Sequence, residues 1–237
     1  MSRMVSQAQT NQVSGVTRGY SYRKSSCTEV FADDGSVETR KEKSYLVQGG
    51  KAYLQQMKYN GQSVSTEELK KEERKSAQAR QEVTESKNAQ RDESWEKYLT
   101  GDLTGRYNFT LVGTETVNGR PAYVLTFQPK GEDLPVRKMV DRVLNRMGGK
   151  VWVDQQEFEI AKAQLRLQSQ ATLGGLLKVV GALKRFDYKV ERIRVAENAW
   201  FNHTTEGDYE SRKLWDSSHI RTTTKATDFQ RNVSSRN

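Results

Sequence analysis

The residues able to do acid–base or nucleophilic chemistry are few. The chain has two histidines, His203 and His219, which are sixteen positions apart, and one cysteine, Cys27. Neither the H-E-x-x-H nor the H-x-H spacing of a histidine metal site is present. Cys27 lies in a serine- and threonine-rich alternating segment, where a cysteine is more often a small strand residue than a nucleophile.

The remaining motifs point away from catalysis as well. The pair Asp33-Asp34 lies in turn sequence, where aspartate is expected without any acid–base role. No G-x-S-x-G motif or phosphate loop occurs, and the pairs Gly148-Gly149 and Gly174-Gly175 are too isolated to be dinucleotide fingerprints. A single cysteine excludes an internal disulfide framework and a cysteine-based zinc cluster. The sequence therefore predicts a protein that is not an enzyme and that needs no metal or cofactor.

Composition predicts a folded, basic protein. The 237 residues carry a net charge of +9, from 39 Lys and Arg against 30 Asp and Glu, and include four Trp, ten Tyr and seven Phe. Basic and acidic residues are interleaved and no RNP-like motif appears, so we do not expect nucleic acid as a partner. The same charge suits attraction to an anionic membrane surface. No apolar run is long enough to span a bilayer, and the first seven residues contain no apolar signal-peptide core.

The N-terminal third predicts an antiparallel meander. From Val16 the apolar residues alternate, and two glycine turns divide the segment into three strands, the last of which a third turn ends. These turns are Asp33-Asp34-Gly35, Gly49-Gly50 and Asn60-Gly61. Residues 1–15 are polar and predict a loose arm or a short amphipathic helix.

Residues 65–99 predict a charged helical insertion. Ser65 and Glu68 form a capping box, and the following residues are mostly Lys, Glu, Arg, Gln and Ala. Val83 is the only large aliphatic residue between Leu69 and Gln90, so this helix has almost no face to bury. It is either a charged excursion on the surface or a movable lid over a binding surface.

A second β block begins at Tyr107 and continues almost to the C-terminus. It contains the hairpin turn Asn118-Gly119 and a helix with an apolar stripe, Val136–Met147, which we expect Gly148-Gly149 to end. The apolar parity of Phe158–Gln170 changes near Ile160, which predicts a β-bulge there. Leu173–Leu183 is predicted as a glycine-flanked apolar loop.

The C-terminal residues complete the strand count. Phe186–Val195 and Trp200–Thr205 predict two strands, Tyr209–Asp228 predicts one or two edge strands, and residues 231–237 are expected to fray. The total is nine to eleven antiparallel strands with one polar and one apolar-faced helix. This is an α+β arrangement, and without an internal repeat or boundary we expect residues 1–237 to form a single domain.

Two hairpins resemble a known family. Residues 107–129 read Y-N-F-T-L-V-G-T-E-T-V-N-G-R-P-A-Y-V-L-T-F-Q-P, and residues 149–167 contain G-K-V-W-V-D, F-E-I-A and Q-L-R-L. These stretches are similar to the central hairpins of the outer-membrane lipoprotein-sorting and carrier superfamily, the LolA-, LolB- and RseB-like proteins of bacterial envelopes. The matching residues are turns and strand ends, and together they cover about a third of the chain.

The resemblance implies a strongly curved, half-open antiparallel β-barrel, with helices covering its concave face. It implies a periplasmic or envelope protein that is exported, with the signal peptide missing from this chain. In the carriers the cavity takes acyl chains, so the implied partners are lipid or lipidated protein. In RseB-like sensors a related domain serves envelope signalling, so the alternative is a protein-interaction module that does not transport lipid.

The residues themselves predict the same cavity. One short apolar helix is too small to cover nine or more strands, and an incompletely covered apolar concavity is a ligand site by default. We expect acyl chains to be held there between the sheet and a helical lid. The predicted lining is Tyr45, Val47, Tyr53, Phe109, Leu111, Tyr123, Leu125, Phe127, Val151, Val153, Phe186 and Tyr188 from strands, Met139, Val143 and Leu144 from the helix, and Leu173, Leu176, Leu177 and Val180 from the glycine-flanked loop.

Overall fold

A computed structural model describes residues 16–85, 105–131, 133–137, 139–175, 178–213 and 216–232. In these residues a short 3-10 helix, Val16–Gly19, precedes twelve strands and two helices. The elements are β1 (Tyr20–Phe31), β2 (Val37–Gln48), β3 (Lys51–Tyr59), β4 (Gln62–Ser63), α1 (Thr66–Glu85), β5 (Tyr107–Val117), β6 (Arg120–Pro129), α2 (Met139–Leu144), β7 (Met147–Asp154), β8 (Ile160–Leu167), β9 (Ala171–Gly175), β10 (Lys178–Ala196), β11 (Ala199–Lys213) and β12 (Asp216–Arg231).

All twelve strands belong to one antiparallel sheet that is curved and does not close. The strand order is β4-β3-β2-β1-β12-β11-β10-β8-β7-β6-β5, and β9 pairs with the N-terminal part of β10. The N-terminal meander β1–β3 is confirmed, and it joins the rest of the sheet through the pairing of β1 with β12. The predicted edge strand at the C-terminus is therefore wrong, because β12 lies between β11 and β1 in the interior of the sheet.

The predicted turns form for the expected reason. Gly35, Gly49, Gly50 and Gly61 have positive φ angles, which glycine adopts without steric cost. In the turn between β5 and β6, Asn118 and Gly119 have φ angles of 50° and 75°, as a two-residue hairpin requires.

The two helices differ from each other in how well the sequence predicts them. In α1 the capping box forms as predicted, because Glu68 accepts from the Ser65 amide at 3.1 Å and the Ser65 hydroxyl accepts from the Glu68 amide at 3.2 Å. Residues 86–99, the rest of the predicted insertion, lie outside the described part of the chain. The second helix is shorter than predicted: α2 covers Met139–Leu144, and Met147 already begins β7.

Two further predictions concern the chain after β7. A register shift between Trp152 and Val153, opposite Ile160 and Lys162, confirms the bulge near Ile160. The predicted apolar loop Leu173–Leu183 is wrong, because its described residues belong to β9 and β10, which pair with each other. The segment alternates too poorly to be recognised as a hairpin.

Candidate functional site

Strand register decides which predicted cavity residues share a face, because residues directly opposite each other in neighbouring strands point to the same side. One row of such partners crosses ten strands of the sheet. We name the side of the sheet that this row occupies the Phe127 face, because Phe127 lies on the same side, two residues after the row's member in β6. Side chains in this row are apolar in β5–β8 and β10, and they are polar in β11, β12, β1 and β2. The row consists of Leu111, Leu125, Val151, Ala163, Val190, Thr205, Thr224, Ser26, Lys43 and Met57.

All the predicted strand residues except Tyr53 lie on the Phe127 face, since strand alternation relates them to this row. A bulge in the pairing of β2 with β3 places Leu54, not Tyr53, opposite Tyr45. Tyr53 therefore points to the other side of the sheet. The side chains of Leu173, Leu176, Leu177 and Val180 lie outside the described part of the structure.

An apolar cluster occupies the Phe127 face over β5–β8 and β10. Tyr107, Phe127 and Val151 are buried, and the Tyr107 ring packs edge-on against Phe127 with centroids 5.1 Å apart. The cluster also includes Ile160, Ala163 and Val190, which the predicted lining omits. The sequence signal for Ile160 and Ala163 is weak, because the bulge near Ile160 changes the parity of β8, whereas Val190 alternates with Phe186 and Tyr188 and could have been included.

The rim of this cluster remains exposed. Leu111 in β5 keeps 59% of its surface accessible, and Tyr123 in β6 keeps 37%. Met139 in α2 and Val136 before it are 55% and 51% exposed. Leu111 and Tyr123 therefore border the packed cluster at the β5 side of the sheet, where they remain accessible to a ligand.

The helix α2 is fixed at the end of this face by a buried polar cluster. Arg106 donates to Asp141 at 2.8 Å and also contacts Asn145, and the Tyr107 hydroxyl donates to the Leu144 carbonyl at 2.5 Å. Val143 and Leu144, which we expected in the cavity, pack on a second cluster of Met147, Leu167 and Ala171.

The helix α1 touches the polar half of the Phe127 face. Glu72 forms an ion pair with Lys43 at 2.7 Å, and Glu73 accepts from the Leu54 amide at 3.0 Å. Hydrogen bonding to Lys43 lowers the pKa of Glu72. These contacts place α1 against β2 and β3. The expectation that helices cover the concave face is not shown in the described part of the chain, where α1 lies against β2 and β3 and α2 packs on the cluster of Met147, Leu167 and Ala171.

The opposite side, the Trp152 face, carries a belt of acidic and basic side chains. Six residues in register form a row across it: Arg166, Asp187, Asp208, Arg221, Glu29 and Arg40. Asp187 pairs with Arg166 at 2.6 Å and with Arg185 at 2.9 Å, and Arg40 pairs with Glu42 at 2.8 Å. Where this belt runs, the Trp152 face is therefore suited to contact with water. The apolar cluster around Phe127 lies on the Phe127 face.

The Trp152 face also contains a cavity that the sequence does not predict. Its volume is about 330 Å³, and β12, β1, β2 and β3 line it mainly with small polar side chains. By register, Ser25 lies between Ser44 and Lys225, and Cys27 lies between Glu42 and Thr223. Cys27 is among these residues, and burial raises the pKa of its thiol. In the sequence these are ordinary alternating strand residues, so no signal distinguishes them.

Arg120 and Asp154, one from each of the two family-like hairpins, form a structural pair. Arg120, from the N-G-R turn, donates to Asp154 at 2.7 and 3.0 Å, and Asp154 is fully buried. The Asp154 carboxylate also accepts from the amides of Gln156 and Glu157, so it closes the turn between β7 and β8. Burial alone would raise the pKa of Asp154, but hydrogen bonds from Arg120 and these amides outweigh it and lower that pKa. This pair therefore fixes the turn between β7 and β8 to the turn between β5 and β6.

The two histidines considered for catalysis both contact other residues of the sheet. His203 hydrogen-bonds the Ala226 carbonyl at 2.8 Å, and His219 contacts Asp208 at 3.0 Å and stacks on Phe31. Within the described ranges, no group of three or more His, Cys, Asp or Glu residues is arranged to hold a metal ion. No helix in those ranges has the length and apolar character required to cross a membrane.

Acid should destabilise the protein through its paired carboxylates. Burial alone would raise the pKa of Asp187, but hydrogen bonds from Arg185 and Arg166 lower it below its ordinary value of 3.8, and Asp154 is lowered likewise. A lowered pKa in the folded state means that the unfolded chain binds protons first. We therefore expect the free energy of unfolding, measured with urea, to fall as the pH drops below about 4. The drop should be smaller in Asp187→Asn, and an equal drop in that variant would contradict this origin.

Comparison with known proteins was made over sequence and structure. No family model matches the chain, and no curated protein matches it. A putative outer membrane lipoprotein-sorting protein domain from Vibrio parahaemolyticus is similar at 13% identity over 98% of this chain and 93% of that one, with a TM-score of 0.33. A DUF1329 family protein from Desulfovibrio piger has 11% identity over 98% and 92%, with a TM-score of 0.32.

A LolA superfamily protein from Nitrosomonas europaea has 12% identity over 94% of this chain and 92% of that one, with a TM-score of 0.30. Similarity at this level carries no argument about the function of the chain. Two of these three solved structures are named as a lipoprotein-sorting protein domain and a LolA superfamily protein.

Proposed function

We propose that the protein is a lipoprotein-sorting type of carrier, which binds the acyl chains of lipid or of a lipidated protein in the cell envelope. The observation that carries this proposal is the division of the sheet into two faces. Apolar side chains of β5–β8 and β10 share the Phe127 face and stay exposed at its rim. On the Trp152 face, by contrast, the apolar cluster around Val124, Trp152 and Trp200 is buried, and the charged belt covers other parts of that face. An alkyl chain on the apolar rim gains about 0.8 kcal/mol for each buried CH₂, so area alone provides affinity.

A fluorescent fatty-acid probe tests this proposal. Leu111→Asp puts a carboxylate on the exposed rim of the Phe127 face, where it would have to be desolvated beside the alkyl chain. We expect probe binding to weaken by about tenfold or more, which corresponds to about 1.4 kcal/mol. The change should leave the fold intact because Leu111 is exposed.

Thr110→Asp is the matched control. Thr110 is also exposed and precedes Leu111 in the same strand, but its side chain points to the Trp152 face. We expect its probe affinity to stay within about twofold of the unmodified protein. Equal affinity in Leu111→Asp and Thr110→Asp, or no probe binding at all, would remove the proposed site.

A second candidate function is a protein-interaction module of the RseB-like kind. The observation that favours it is the outer edge of β5, which pairs with no strand in the described part of the chain. The backbone of such an edge is a site at which a strand of another chain can add. The two functions use different atoms. The carrier needs the apolar side chains of one face, and the interaction module needs the backbone of one edge.

A further inference from the structure

The two edges of the sheet are very different. At one end, β4 consists of only two residues and pairs with Lys58 and Tyr59 of β3. The remaining edge of β3 is contacted by α1, in which Glu73 accepts from the Leu54 amide. At the other end, β5 has eleven residues and pairs only with β6 in the described part of the chain. Every residue from Thr110 to Thr116 is exposed. Long exposed edges bind further strands unless they are protected, so β5 is the place where such binding is expected.

The register identifies the backbone groups that point outward from β5. In an antiparallel ladder, pairs that exchange hydrogen bonds alternate with pairs whose amides and carbonyls point away from each other. Val117 and Arg120 flank a two-residue turn and therefore exchange bonds, which leaves Thr116 and Thr114 pointing outward.

The other end of β5 gives a consistent result. The Lys130 amide donates to the Arg106 carbonyl at 2.9 Å, so alternation from this pair leaves Phe109 and Leu111 pointing outward. Pro121 and Pro129 of β6 both fall at positions that exchange no bonds with β5, as residues without an amide hydrogen must. Four residues of β5, Phe109, Leu111, Thr114 and Thr116, thus offer their amides and carbonyls at this edge.

The side chains along this edge do little to repel a strand. Glu115 is the only charged residue between Tyr107 and Val117, and Leu111 and Val112 are 59% and 54% exposed. Natural edges are usually protected by lysine, proline or a bulge. Here only the bulge at Val112 and Gly113 is present, and it divides the outward groups into two pairs.

We propose that the β5 edge binds an extended, largely uncharged segment of a partner protein as an added strand. An apolar residue of this segment lies beside Leu111 on the Phe127 face. A second copy of the chain fits less well, because pairing two β5 strands through Thr114 and Thr116 brings Glu115 opposite Glu115 of the other copy. A flexible segment has neither this repulsion nor a second bulge. The inference rests on the second candidate function and does not require lipid binding.

A defined peptide tests the proposal with the full chain. The probe is a ten-residue peptide of alternating Val and Thr with a lysine at each end, and the control is the same peptide N-methylated at alternate amides. We expect only the unmodified peptide to bind, as measured by fluorescence anisotropy. By NMR, hydrogen exchange at Phe109, Leu111, Thr114 and Thr116 should slow by about tenfold or more in the complex, because these amides acquire acceptors.

Two variants locate the binding to the backbone. Thr116→Pro removes an outward amide without removing a bond between β5 and β6, and it should weaken peptide binding by about fivefold or more. Thr116→Val keeps the amide and should leave binding unchanged. Leu111→Asp should lose the fatty-acid probe while the outward amides still become protected by the peptide, so failure of one function is distinguishable from failure of the other.

Three results would overturn the inference: no binding of the peptide, equal binding of its N-methylated form, or protection at β3 and β4 instead of β5. Slowed exchange at the four amides that depends on protein concentration, without peptide, would assign the edge to a second copy and would equally refute a partner segment.

Discussion

Replacing Gly149 by alanine should lower the free energy of unfolding by about 3 kcal/mol or more. A β-carbon at this position would overlap the backbone carbonyl of Gln164 in β8 and would lie 3.1 Å from the Phe127 ring. Backbone in the middle of a sheet cannot move aside without separating β7 from β8, so the strain is not relieved by a rotamer change. Urea unfolding followed by circular dichroism measures the loss.

Gly148→Ala is the matched control for this prediction. A β-carbon at Gly148 meets mainly the end of the Gln168 side chain, which can turn away, and the nearest backbone atom, the Phe127 carbonyl, is 3.2 Å distant. We expect Gly148→Ala to cost about 1 kcal/mol. Equal losses in the two variants would show that β7 and β8 are not packed closely enough at Gly149 to exclude a side chain.

The second large effect is expected for Asp154→Ala, at about 3 kcal/mol. The Asp154 carboxylate is fully buried, pairs with Arg120 at 2.7 Å and accepts from the amides of Gln156 and Glu157. Removing it leaves the Arg120 guanidinium, which is 24% exposed, without its main partner and leaves two turn amides without an acceptor.

Two further variants test the origin of this loss. Asp187→Ala removes a carboxylate whose partner Arg166 is 77% exposed, so it should cost less than about 1 kcal/mol. The double variant Arg120→Ala with Asp154→Ala should cost less than the sum of the two single changes, because the guanidinium is then absent. A loss in Asp154→Ala no greater than in Asp187→Ala would contradict the structural role assigned to this pair.

Local features of the fold could be predicted because local chemistry determines them. The capping box of α1 and the glycine turns depend on residues only a few positions apart, and they form as expected. The bulge near Ile160 could be predicted because one extra residue in a strand shifts its apolar side chains from odd to even positions, which is visible in the sequence.

Long-range features could not be predicted in the same way. The pairing of β1 with β12 joins residues about two hundred positions apart, and nothing local in the polar segment Tyr209–Asp228 distinguishes an interior strand from an edge. Gly148 and Gly149 look like a helix stop after an apolar helical stripe. They lie in β7 instead, where a neighbouring strand leaves no room for a side chain at Gly149.

The candidate site follows the same division. Alternation placed Phe109, Leu125 and Phe127 on one face, because side-chain direction in a strand has a fixed period. Alternation does not predict the position of Tyr53. The bulge in the pairing of β2 with β3 turns its side chain to the Trp152 face, and nothing in the sequence indicates this bulge. Whether the shared face binds acyl chains stays a prediction.

The most direct test of the account is to find which face of the sheet an acyl chain touches. Leu125 and Val124 are neighbours in β6, but Leu125 belongs to the Phe127 face and Val124 packs with Trp152 on the opposite one. With a fatty acid that carries a spin label on its alkyl chain, NMR should show strong broadening of the Leu111 and Leu125 methyl signals and little broadening of Val124. Broadening of Val124 above that of Leu111 and Leu125, or none at either face, would contradict the proposal that the Phe127 face is the acyl-binding surface.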